Sequence, residues 1–207
     1  MSRTCVIIDY GMGNLQSVVN ALRYIDVDPV VSGDPHAVRN ADTLLLPGVG
    51  SFRKAMEALN NSGLADAIKD AATVRHHKLL GICLGQQLMA EFGVEDGGSA
   101  GLGLIPGIVD RIARPEDSGI KIPHVGFNKV AFEAESRLFE GFDAQVDCYF
   151  VHSYSLEVMA RPGLAALCNH GTPFVAAYEH DNLFCTQFHP EKSQTNGLKI
   201  LSNFMSA

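Results

Sequence analysis

Apolar positions change their rhythm along this chain. In the first half they form short unbroken runs, separated by segments that repeat every three to four residues. Cys5-Val6-Ile7-Ile8 precedes Asp9, Leu44-Leu45-Leu46 precedes Pro47, and Leu79-Leu80 leads into Gly81. Such runs predict strands buried on both faces, here over 5–9, 29–31, 41–46 and 79–82. Between the first two, Leu15, Val18, Val19, Leu22 and Ile25 share one helical stripe. They predict a helix over 15–25, with Asn14 placed to cap it. Helical patterning also covers 52–72, broken at Asn61-Ser62-Gly63, and 85–92. This alternation predicts a parallel α/β sheet covered on both faces.

After Gly97-Gly98 the segments become shorter and alternate. Those over 107–112, 128–132, 147–151, 164–168, 174–178 and 183–188 are divided by turn residues and predict antiparallel hairpins. A closing helix over 194–205 turns Leu198, Leu201 and Phe204 inward. No repeat, linker or low-complexity tract interrupts the pattern. The 207 residues are therefore expected to form one domain around a mixed, mostly parallel sheet.

Composition narrows the function classes. A net charge of −7, with no dense Lys/Arg patch, argues against a nucleic-acid surface. The apolar runs are far too short to span a bilayer, and the N-terminal segment, itself strand-like, lacks a signal-peptide pattern. Five cysteines without close spacing argue against a disulfide framework or a zinc site. The cytoplasm is the expected compartment, with no membrane or nucleic-acid partner.

The chemistry centres on Gly81-Ile82-Cys83-Leu84-Gly85, directly behind an apolar strand. Small residues flanking a nucleophile permit a sharp strand-to-helix turn that lifts its side chain clear of the sheet. Cys83 would then sit at a helix N-terminus, where the macrodipole favours an anion. A base is available near the other end of the chain, in Phe188-His189-Pro190-Glu191. The proline is expected to keep the segment extended, which places His189 and Glu191 on one face. Nucleophile, base and orienting acid complete a catalytic triad. Pro47-Gly48-Val49-Gly50 ends a neighbouring strand, where glycine backbone can approach a reacting centre. Its N–H groups and that of Leu84 would form an oxyanion hole. Gly11-Met12-Gly13 lacks the remainder of a dinucleotide fingerprint and reads as a tight turn.

Together, Gly81 to Gln87 and Phe188 to Glu191 resemble the class I, triad-type glutamine amidotransferases. The resemblance spans essentially the whole chain. It implies a three-layer, flavodoxin-like fold. It also implies that Cys83 attacks the glutamine carboxamide, that His189 shuttles the proton, and that Glu191 orients His189. Gln87, Ser153 and Tyr154 would line the glutamine pocket, with Gly48 and Gly50 in the oxyanion loop. Further segments resemble the glutaminase subunits of imidazole glycerol phosphate synthases. These are Asp9 to Leu15, Leu46 to Phe52, Pro123 to Asn128, Tyr149 to Tyr154 and Gln187 to Ser193. That resemblance implies a heterodimer with a separate (β/α)8-barrel cyclase of histidine biosynthesis, which receives ammonia through a protected channel. Asn14, Phe127 and Lys192 would lie at or near the interface, and no metal or organic cofactor is implied.

Two positions depart from that pattern. Phe127 stands where those subunits usually carry Trp, and Gln86 where they often carry Met. The first implies a weaker interfacial anchor, the second a packing or surface change. His76 and His77 are expected in a solvated loop, and His36, His170 and His180 without partners. His124 and His152 have either structural or pocket-shaping roles, and Tyr149-Phe150 belongs to the core. Three other readings stay open on these residues: the glutaminase of another synthase such as pyridoxal phosphate synthase, a non-catalytic binding module, and a cysteine peptidase or esterase.

Overall fold

The unbroken apolar runs become strands with no exposed residue in β3 (Thr43–Gly48) or β4 (Lys78–Cys83), as expected for the middle of a parallel sheet. The computed structural model describes residues 3–112, 120–157, 159 and 162–207. Before β3 come β1 (Arg3–Ile8), α1 (Leu15–Tyr24), β2 (Val27–Ser32) and α2 (Pro35–Arg39). Between β3 and β4 lie α3 (Phe52–Asn61) and α4 (Leu64–Lys69), followed by a π turn over Asp70–Val74. The helix α5 (Leu84–Met89) starts at the residue after β4 ends. Four small strands frame the next stretch: β5 (Phe92–Gly93), β6 (Ser99–Ala100), β7 (Ile108–Arg111) and, later, β10 (Tyr154–Leu156). The antiparallel strands are β8 (His124–Ala131), β9 (Gln145–His152), β11 (Leu164–His170) and β12 (Thr172–His180). The last strand, β13 (Leu183–Thr186), precedes α6 (Gln194–Ser206).

The main sheet has the order β2-β1-β3-β4-β13-β12-β11-β8-β9, and a second sheet the order β10-β7-β5-β6. Pairing is parallel from β2 to β13 and antiparallel from β13 to β9. Only β8 and β12 therefore run against the rest, and the sheet is mixed and mostly parallel in strand direction. Alternate residues feed two cores. Ile7, Leu45 and Leu80 pack with Val18 and Leu22 of α1 and Leu201 and Phe204 of α6. Val6, Ile8, Leu44, Leu46 and Leu79 pack with residues of α3, α4 and α5 on the other face. The result is three layers. Among the described residues no helix is long and apolar enough to cross a membrane.

Several local expectations need correction. Asn14 occupies the N-cap position of α1 but makes no side-chain cap bond. The helix after Cys83 ends at Met89, and Phe92 already belongs to β5. Pro190 does not keep its segment extended. It opens a 3-10 turn over Pro190–Lys192, where its missing N–H costs nothing at the first helical position. The helix α2, which was not expected, is capped by the Asp34 side chain accepting from the His36 N–H, with Pro35 next. Leu198 is only partly buried, while Ile200 fills the core.

Candidate active site

Strands that share a direction deliver their C-terminal ends to one edge of the sheet, where ligands of such folds bind. Gly48 and Cys83 end β3 and β4 opposite each other in register. His189 follows β13, which pairs with β4 on its other side. Ser153 follows β9, whose direction is the same.

Cys83 itself takes the left-handed backbone, with φ 55° and ψ −107°. A non-glycine residue there stores about 1–3 kcal/mol of strain, a cost tolerated at functional turns. The flanking glycines serve close approach instead. A Cβ on Gly85 would stand 1.7 Å from the Leu46 carbonyl oxygen, and one on Gly81 would stand 2.8 Å from the Gly85 backbone. The elbow is thus pressed against β3, and Cys83 absorbs the turn. In the neighbouring loop, Gly50 has φ +112°, and a side chain on Gly48 would run into the Tyr10 hydroxyl. As the first residue of α5, Leu84 has an N–H without an intrahelical partner.

His189 and Glu191 form a buried pair, with Nδ1 and Oε1 2.7 Å apart. The carboxylate can only accept from the ring in its charged or neutral form, so Nδ1 carries a hydrogen. Nε2 makes no other hydrogen bond among the described residues, and the ring interacts with the Cys83 side chain. Burial alone would lower the imidazole's pKa. Proximity to Cys83 and to the Glu191 carboxylate outweighs burial and raises it from 6.5 to about 9. The backbone of His189 is fixed too. Its N–H donates to the Tyr149 carbonyl at 2.9 Å, and its carbonyl accepts from Ser193 Oγ at 2.7 Å. Ser193 Oγ in turn accepts from the Tyr149 N–H at 2.9 Å.

A cleft of about 400 Å³ opens beside Cys83. Gly50, Leu84, Gln87, Ser153 and Tyr154 all line it, together with Glu95 and His152. Gln87 donates to the Tyr154 carbonyl at 2.9 Å and to Gln187 Oε1 at 3.1 Å. Glu95 was missed in the sequence because it sits in a polar turn without a motif. One of its oxygens accepts from the Phe52 N–H at the start of α3, at 2.7 Å, and the carboxylate gives the cleft an anionic wall. His152 donates from Nδ1 to the Tyr154 carbonyl at 2.9 Å, since a carbonyl can only accept. Its Nε2 lies 3.0 Å from His124 Nδ1. Burial lowers the pKa of both rings, to about 4 for His124 and about 3 for His152.

Other residues land elsewhere. Asn14 and Gly48 border a small crevice with His189 and Glu191, behind the cleft. Lys192 is half-buried beside the triad. Phe127 is 50% exposed on the outer face of β8, with Val125 beside it and Val151 opposite on β9. Tyr149, expected in the core, is half-buried and meets Phe127 edge-on at 5.5 Å, while Phe150 is fully buried. His170, expected to lack a partner, stacks on His124 at 4.1 Å and bonds the Lys121 carbonyl. His77 is less solvated than expected, with a buried Nδ1. Gln86 is fully buried, so its change from Met is not a surface change. The five cysteines are buried. Burial pushes the Cys5 and Cys168 thiols up to about 12.

The model of the glutamine amidotransferase class-I family matches residues 6–207. Imidazole glycerol phosphate synthase subunit HisH of Moorella thermoacetica is 44% identical, over 98% of this chain and 94% of its own length. Subunit HisH 1 of Campylobacter jejuni is 43% identical, over 96% and 98%. A crystal structure of a glutamine amidotransferase shares the fold with a TM-score of 0.74 at 16% identity, covering 98% of this chain and 97% of that one. The chain belongs to the class I glutamine amidotransferase family and, within it, to the HisH subunits of imidazole glycerol phosphate synthase.

Proposed function

We propose that this chain hydrolyses glutamine to glutamate and ammonia and passes the ammonia to a separate cyclase, as the glutaminase subunit of an imidazole glycerol phosphate synthase. The observation that carries the reading is the buried His189–Glu191 pair, whose imidazole also interacts with the sulfur of a strained elbow cysteine. Cys83 Sγ attacks the carboxamide carbon, and the N–H groups of Leu84 and the Gly48–Gly50 loop hold the oxyanion. His189 gives its Nε2 proton to the leaving nitrogen. The C–N bond breaks, ammonia departs and a glutamyl thioester remains. His189 then takes a proton from water, which hydrolyses the thioester to glutamate and restores the sulfur. Gln87, Ser153, Tyr154 and the Glu95 carboxylate shape the pocket for an amino-acid substrate.

All 207 residues act as one amidotransferase domain in this reading. The outer face of β8 and β9, with Val125, Phe127, Tyr149 and Val151, is the docking surface for the (β/α)8 cyclase. Asn14 and Lys192 flank the triad at the rim of that contact. A cytoplasmic location agrees with cysteine spacings that suit no disulfide framework.

The test is glutamate release by the purified chain, alone and with a histidine-pathway cyclase and its ribonucleotide ligand. Strong release only in the full mixture supports both chemistry and partner. Release indifferent to the cyclase would reassign the partner, and none anywhere would overturn the reading. Cys83→Ser should abolish glutamine-dependent turnover while the complex still uses added ammonia. Loss of both would contradict this division of labour.

A further inference from the structure

Gln187 is fully buried next to the nucleophile, and the steps above give it no task. A buried carboxamide destabilises the fold unless its polar atoms are matched, and an apolar side chain of similar volume would fill the same space. Its surroundings dictate which way the amide faces. The Tyr154 carbonyl can only accept, so Gln87 must turn its nitrogen toward it. That same nitrogen reaches Gln187 at 3.1 Å, so Gln187 must present its oxygen to Gln87. The remaining end of Gln187, its Nε2, is then directed at Cys83 Sγ, 3.8 Å away. The backbone leaves little slack, because the Gln187 N–H donates to the Ala176 carbonyl at 2.7 Å. The amide could reverse only by opposing two donors at Gln87 and two acceptors at the sulfur.

We infer that Gln187 is the fixed N–H donor that holds the Cys83 thiolate ready for attack, with its orientation imposed by Gln87 and the Tyr154 carbonyl. The inference rests on the assignment of Cys83 as nucleophile. A donor here acts on the free enzyme, before glutamine arrives, and adds to the contact from the imidazole. The other titratable groups around Cys83 are His189 with Glu191 behind it, the Tyr10 phenol from the end of β1, and His152 and Glu95 across the cleft. None of them can replace an amide donor that is neutral at every pH.

The test compares wild type with Gln187→Met, which keeps the volume and removes the donor. The rate at which iodoacetamide alkylates Cys83, followed by peptide mapping, is measured from pH 5 to 10. Gln187→Met should slow alkylation at pH 7 by about tenfold, recover the wild-type rate at higher pH, and lower kcat with the cyclase while KM for glutamine stays within about twofold. An identical alkylation profile in the two proteins would overturn the inference. If Gln187→Met does not fold, side-chain amide NMR of the wild-type chain decides. The Gln187 Nε2 protons should shift with the midpoint of Cys83 alkylation, and the shift should vanish in Cys83→Ser. A Gln187 signal indifferent to pH would again overturn it. Failure of the underlying assignment looks different: Cys83→Ser would then keep releasing glutamate.

Discussion

Glu191→Gln isolates what the carboxylate does to the imidazole. In the folded chain His189 binds its proton up to about pH 9, against 6.5 for an unconstrained ring. That difference corresponds to about 3 kcal/mol of stability. Because the folded pKa is the higher one, the contribution is complete below about pH 6.5 and disappears as pH rises through about 9. Burial opposes the proton, so the contacts with Cys83 and Glu191 must supply more than the net amount. Without the carboxylate, burial and the Cys83 contact set the balance, and the ring should lose part of its rise above 6.5. Urea unfolding of both proteins at intervals from pH 6 to 9.5 reads this directly. The wild type should lead the variant by most at pH 6, and its lead should shrink as pH rises through about 9, by at most about 3 kcal/mol by pH 9.5. Titrations elsewhere cancel in the difference. A gap that stays constant over this range would refute the claim that Glu191 keeps the proton on His189.

Other perturbations probe separate parts of the molecule. Gly85→Ala forces a Cβ against the Leu46 carbonyl and should cost about 3 kcal/mol, seen as a Tm lower by roughly 6–12 °C; an unchanged Tm would mean that α5 is not pressed on β3. Phe127→Ala should weaken cyclase docking by about 1–3 kcal/mol in titration calorimetry while leaving free-chain stability within about 0.5 kcal/mol; unchanged affinity would remove Phe127 from the interface. His124 and His152 are held neutral, so stability should fall as pH drops from about 6.5 toward 4 and 3, by up to about 1.4 kcal/mol per pH unit for each ring. Unfolding at pH 5 that takes up no protons at these two rings, followed by histidine NMR, would contradict their neutral state.

The residues of the proposed triad stand out in the sequence because each lies in a local pattern with one physical meaning. An apolar run before Gly-x-Cys-x-Gly announces a turn, and His-x-Glu beyond a final strand announces a base with its acid. The parallel half of the sheet was legible for the same reason, since strands buried on both faces leave unbroken apolar runs. What stayed hidden depends on distant partners. Glu95 reaches the cleft only because β5 folds back under α3, and the histidines at 124, 152 and 170 meet only across three strands. The local account of the elbow was also incomplete. Glycine at 81 and 85 reads as backbone freedom, whereas those positions are needed for contact and the unusual φ falls on the cysteine. Pro190 misled because a proline that forbids a helix interior is well suited to a helix start.

The place of β13 in the sheet has a consequence for how the protein comes into being. This strand is the last made, yet it sits in the middle, between β4 and β12. Until Leu183–Thr186 emerges, the two halves of the main sheet share no hydrogen-bonded neighbour, and each presents an open edge. The same few residues that join them bring His189 to Cys83. A growing chain therefore carries Cys83 without its proposed base for most of its synthesis, and closure of the sheet and arrival of His189 are one event. Unfinished copies should be both inert toward glutamine and adhesive at their open edges.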